Sequence, residues 1–121
     1  MAHYVDGFVI PIKRKNLKAY KKMAEWGCRV WMQNGALSYY ECVMEDLPGH
    51  GMGFKKMCKL KADETAVFSF IIYKSKSHRN QVNKKVMKEM SKEDTPMKMP
   101  FDMKRFATAG CKTIVTAKKR T

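Results

Sequence analysis

Residues 66–73 read Ala-Val-Phe-Ser-Phe-Ile-Ile-Tyr, and this run constrains the fold more than any other stretch of the chain. A strand with one wet face alternates apolar and polar side chains, whereas a strand that is apolar at nearly every step is covered on both faces. The run falls far short of the roughly 20 apolar residues that cross a bilayer, so its place is the middle of a sheet. Tyr4 to Ile10, YVDGFVI, has the same character, broken by Asp6, and Pro11 is expected to close it. Two such strands require a sheet with a cover on each side.

One cover is legible as helical stripes. Leu17, Tyr20, Ala24, Cys28 and Trp31 recur at three- and four-residue steps behind Asn16, a candidate cap, with Lys15, Lys18, Lys22, Glu25 and Arg29 on the opposite side. Asn34-Gly35 supplies a left-handed stop. A second helix, capped by Ser75 or Ser77, buries Val82, Val86 and Met90 and turns Lys84, Lys85, Lys88 and Lys92 outward, with Pro96 and Pro100 beyond its end.

Ala36 to Met44, ALSYYECVM, alternates as a strand. Glu45 to Thr65 carries Pro48 and three glycines, yet Phe54, Met57, Cys58 and Leu60 predict a docked loop with a short element. A last strand is expected over Gly110 to Ala117, through Ile114 and Val115. The order βαββαβ is that of a ferredoxin-like α+β fold, a four-stranded antiparallel sheet with two helices on one face. The second face is left bare although both central strands are apolar on it. The same face of a second copy is the economical cover, which predicts a homodimer of the dimeric α/β barrel type. Residues 1–117 read as one such domain and 118–121 as a basic tail.

With 121 residues, 45% of them hydrophobic, the chain can bury a core without staples. The opening Met-Ala-His-Tyr-Val-Asp lacks the basic and apolar regions of a signal peptide, and no run can span a membrane, so a cytoplasmic location is expected. Cys28, Cys42, Cys58 and Cys111 show no metal-ligand spacing and read as buried, reduced thiols. His3, His50 and His78 share no ligand spacing either, so no metal site is predicted, and nothing in the pattern asks for a cofactor. Lys and Arg exceed the acidic residues by 14, a charge that attracts polyanions at low salt. The lysines are spread along the chain, and AVFSFIIY lacks the glycine and basic residue of an RNA-binding strand, so a solvated surface is favoured over a nucleic-acid face.

The chain resembles the YbaA-like bacterial family of unknown function (domain of unknown function 1428). The residues that carry the likeness are YVDGFVIPI (Tyr4 to Ile12), Val30-Trp31, YYECV (Tyr39 to Val43), DETAVFSFIIY (Asp63 to Tyr73), the SHR and VNKKVM stretch within Ser77 to Met87, and MPFDMKR (Met99 to Arg105). It differs in the Pro48 to Lys61 loop, in a shorter stretch before MPFD, and in more lysine on both helices. The resemblance implies a small dimeric α+β barrel and carries no established activity. Architectural relatives include cofactor-free monooxygenases, which for this chain is analogy of fold alone.

Asp6 and Glu41 each interrupt an apolar strand, where a carboxylate is costly to bury unless paired or protonated. Paired with Arg79 or Arg105 they are struts, the favoured reading of these two carboxylates. Facing a cavity together with Tyr39, they can bind a small polar ligand or act as acid and base. Asp102 and Arg105, in the turn after Pro100-Phe101, either hold a loop or clamp an anion; His78 and Arg79, at a helix start, either gather an anion or stand exposed. Gly49-His50-Gly51-Met52-Gly53 misses the phosphate-loop spacing and reads as a turn. Most of Trp26, Trp31, Tyr39, Tyr40, Phe68, Phe70 and Tyr73 read as core or dimer interface, and Met97, Met99 and Met103 as adaptable packing.

The preferred expectation is a homodimeric barrel enclosing a small-ligand pocket lined by Asp6, Tyr39 and Glu41, with Arg105 orienting an anion. Two alternatives remain: a basic module that binds nucleic acid or another polyanion nonspecifically, and a purely structural dimer.

Overall fold

The apolar run does become the spine of a sheet. In the computed structural model, which describes residues 3–92 and 98–119, β3 spans Glu64–Tyr73 and pairs antiparallel with β1 (Tyr4–Lys13) along its whole length, from Tyr4 opposite Tyr73 to Lys13 opposite Glu64. β2 (Ser38–Val43) lies outside β3 and β4 (Ala107–Lys112) outside β1, giving the all-antiparallel order β2-β3-β1-β4 of a ferredoxin-like sheet. The helix α1 (Leu17–Gln33) joins β1 to β2, the four-residue α2 (Phe54–Met57) sits in the β2–β3 connection, and α3 (Lys76–Met90) leads from β3 toward β4.

Side chains alternate across a strand, so Tyr4, Asp6, Phe8, Ile10 and Ile12 share a face with Tyr73, Ile71, Ser69, Val67 and Thr65 opposite them. On that face α1 and α3 build two buried clusters. One gathers Val30, Ala36, Ile71, Tyr73, Val82 and Val86; the other gathers Ile10, Ile12, Tyr20, Ala24 and Val67. Ser75 caps α3, its hydroxyl accepting from the His78 amide at 3.1 Å. Gly35, at φ 114°, takes the left-handed turn that ends α1.

Among the described residues nothing covers the opposite face. It carries Val5, Val9, Phe68, Phe70, Ile72, Tyr40 and Cys42, with Ala107, Ala109 and Cys111 on β4. Tyr40 stacks on Phe70 at 4.8 Å, and Phe68 leans on Phe70 at 5.7 Å. Tyr40 is 53% exposed and Phe68 42%.

Several expectations need correcting. Pro11 does not close the first strand, which runs on to Lys13; β4 pairs only as far as Val9, so beyond it one edge of β1 is free and a missing N–H is tolerated. The fourth strand is the small-residue stretch ATAGCK, and Ile114 and Val115 follow it, 90% and 86% exposed. Asn16 makes no side-chain cap, because a 3-10 turn at Arg14–Asn16 leads straight into α1 with Asn16 already in helical geometry. Phe54 and Met57 do not anchor their loop: both are exposed on a helix too short to bury a stripe. None of the cysteines is buried; Cys42 and Cys111 sit on outer strands and are exposed, and Cys28 and Cys58 are half-buried. Pro96, Met97 and Arg120 lie outside the described residues.

Candidate ligand cleft

Between the two clusters the helices stand off the sheet. The gap is a half-open cleft of about 1150 Å3, slightly above the roughly 300–1000 Å3 of ordinary small-molecule sites. Phe8, Ser69 and Ile71 form the middle of its floor, Trp31 and Met87 stand in the helix walls, and Phe101 and Phe106 come from the segment before β4. Two polar centres are set into this apolar surround.

The first centre is Glu41. The Tyr20 hydroxyl donates to its Oε1 at 2.7 Å and the Tyr39 hydroxyl to its Oε2 at 2.7 Å. Burial, followed by the hydrogen bond to Glu41 and its charge, pushes both phenols well above the usual tyrosine range, so both remain protonated donors. Gly27 admits this arrangement, since a Cβ there would lie 3.1 Å from the Tyr39 hydroxyl. Glu41 forms no ion pair among the described residues.

The second centre is Asp6, 5% exposed. Arg79 Nη1 lies 3.3 Å from its Oδ1, and Asn83 Nδ2 donates to its Oδ2 at 3.4 Å. Asn83 Oδ1 in turn accepts from the Trp31 indole at 3.0 Å and from the Tyr73 hydroxyl at 3.2 Å. The Tyr73 phenol is raised by burial and then by Asp6. The Arg79 guanidinium lies 5.0 Å over the Tyr4 ring, and its Nε is buried without an acceptor among the described residues. Glu41 lies opposite Ser69, which lies opposite Phe8, two residues along from Asp6. Two strand spacings and one two-residue step therefore separate the carboxylate-bearing positions by about 12 Å.

The structure brings Asp6, Tyr39, Glu41 and Arg79 into this cleft and leaves the other candidates elsewhere. Arg105 reaches Glu64 at 2.6 Å and the Cys58 and Lys59 carbonyls at 3.1 and 3.2 Å, tying the β2–β3 connection to the stretch before β4. Asp102 holds its own turn, accepting from the Lys104 amide at 2.9 Å. His78 Nδ1 accepts from the Lys74 amide at 3.0 Å, a contact that braces the helix start. His3 and His50 stay away from the cleft, and among the described residues no group of metal-ligating side chains forms. Sequence reasoning missed Tyr20 and Asn83 as partners of the two carboxylates. Asn83 stands one helical turn from Arg79, on the same side of α3, which was its only signal. Met23, Met87 and Met90 join Met99 and Met103 around the cleft, a grouping that no local spacing announces.

Residues 3–103 match the family profile described as a protein of unknown function (DUF1428). The chain belongs to this family. Its relatives include the uncharacterized protein YbaA of Escherichia coli K12, 35% identical over 113 residues that cover 93% of this chain and 97% of the relative. YbaA of Shigella flexneri matches equally. Among solved structures, a protein described as a dimeric ferredoxin-like protein from an uncultured marine organism superposes with a TM-score of 0.63, covering 97% of this chain and all of its own, at 11% identity. That likeness shows the fold. DUF1428 carries no established activity, and the matched stretch ends before β4.

Proposed function

We propose that this DUF1428 chain is a homodimer whose protomers each bind a small organic ligand in the cleft between sheet and helices. The observation that carries the reading is the cleft of about 1150 Å3 whose apolar floor holds Glu41 and Asp6, each with its own hydrogen-bond partners. A largely apolar cavity with a few convergent polar groups is the usual form of a small-molecule site. Fixed partners orient both carboxylates without filling the space in front of them. Arg105 does not orient the ligand in this reading, being engaged with Glu64 and two carbonyls.

The homodimer rests on the bare apolar sheet face and on the dimeric description of the marine neighbour. The location we favour is the cytoplasm, with which four free thiols, two of them exposed, agree. Among the described residues no helix is long and apolar enough to cross a membrane.

The test is a fragment screen followed by amide and indole NMR. Binding should shift the Trp31 indole and the amides of Tyr39 and Gly110, which surround the cleft. Shifts confined to the lysine-bearing outer surfaces of α1 and α3, or no shifts from any fragment, would sink the reading.

A further inference from the structure

We infer that the ligand carries a positively charged nitrogen, a protonated amine or an ammonium group, which docks on Glu41. This rests on the cleft being a ligand site and goes on to assign the ligand's charge.

Four charged residues line the cleft: Asp6 and Arg79 pair with each other, and Arg29, exposed on α1, makes no ion pair with Glu41. Glu41 has only two neutral phenols, so its negative charge stands without a cation among the described residues. Neutral dipoles compensate a half-buried carboxylate less fully than an ion partner does, which makes this end of the cleft selective for an incoming cation. Each carboxylate oxygen accepts one phenol and keeps a second lone pair, so there is room for an N–H donor without displacing either tyrosine.

The surround suits the same group. Tyr20 packs against Phe101 at 5.9 Å, Phe101 against Phe106 at 5.8 Å, and Phe106 against Phe8 at 5.7 Å; Trp31 meets Tyr39 at 6.2 Å. All six rings line the cleft, and two of them belong to the tyrosines that hold Glu41. Aromatic faces attract cations through their quadrupole, and thioethers such as Met23 and Met90 accept alkyl groups of varied shape. A ligand carboxylate at this end of the cleft would instead meet the like charge of Glu41, away from Asp6 and Arg79 across the floor. The net charge of +14 opposes a cation at long range, but salt screens it beyond a Debye length of about 8 Å, leaving the nearest charge to decide inside the cleft.

The experiment uses 4-phenylbutylamine, 4-phenylbutan-1-ol and 4-phenylbutanoate, three probes of similar body and different charge, titrated calorimetrically into the wild type and Glu41→Gln. The amine should bind about tenfold more tightly than the alcohol, and the acid most weakly. In Glu41→Gln the amine should lose its tenfold advantage over the alcohol, both measured on that variant. If the alcohol binds and the amine binds no better, the charge assignment is wrong and the cleft reading survives. An amine preference that persists in Glu41→Gln also overturns it. If no probe binds, the cleft reading fails and this inference with it. The wild-type series decides the sign of the charge even if the variant does not fold.

Discussion

Glu64 is held at about 2, well below the ordinary carboxylate value of 4.5, first by the hydrogen bond from Arg105 and then by the Lys61 amide. A carboxyl depressed in the folded state stabilises the fold above its unfolded value and loses that contribution as pH falls through the folded one. The window is therefore between about pH 4.5 and pH 2. Glu64→Gln should cost about 1 kcal/mol at pH 7 and flatten the loss of stability across that window, as urea unfolding at stepped pH would report. An unchanged slope would mean that Glu64 does not carry the acid sensitivity. At the other carboxylate, Tyr20→Phe removes one of the two donors to Glu41 and should cost about 1–3 kcal/mol of stability by chemical denaturation. No measurable loss would mean the phenol is not needed there. Asp6 and Glu41 were legible in the sequence because a carboxylate inside an apolar strand is out of place. Tyr20 was legible only as a core residue: the periodicity that put it on the buried stripe of α1 does not say which strand it meets.

Among the elements, β3 and β1 were readable because being apolar on both faces is a property of the strand itself. β4 was not, since its true span is small residues while the β-branched pair Ile114-Val115 lies beyond it. What places β4 is clearance. A Cβ at Gly110 would lie 2.5 Å from the Tyr4 hydroxyl and 3.1 Å from Arg79 Nη2, so only glycine lets the ring and the guanidinium lie across the strand. Gly110→Val should destabilise by about 1–3 kcal/mol through overpacking. Combining it with Tyr4→Phe, which removes the hydroxyl, should recover part of that loss. Strict additivity of the two changes in thermal unfolding would show that the strand is placed by something else. Because Arg79 also holds Asp6, such a shift at β4 would reach the cleft floor.

For the whole molecule, the two sheet faces have different fates. The helix face packs two core clusters and opens between them as the cleft, whereas the outer face leaves Tyr40, Phe68 and Phe70 as an aromatic patch with Val5 and Val9 alongside. A patch of this kind is costly in water and a second copy can cover it symmetrically. Ile114 and Val115, standing off the end of β4, add to the apolar surface one protomer leaves in water. Phe68→Asp would place a charge in that interface and should convert a dimer into a folded monomer, seen as halved mass in sedimentation with an unchanged far-ultraviolet spectrum. Cys42, on the same face, should then react with a thiol reagent faster than in the wild type. A wild-type monomer would remove the interface altogether, and a Phe68→Asp dimer with Cys42 equally reactive would move it off this face. Since the cleft lies between sheet and helices and the aromatic patch on the other face of the sheet, the monomeric variant should bind 4-phenylbutylamine as the wild type does; a loss of binding on dissociation would mean that the second copy holds the cleft in shape.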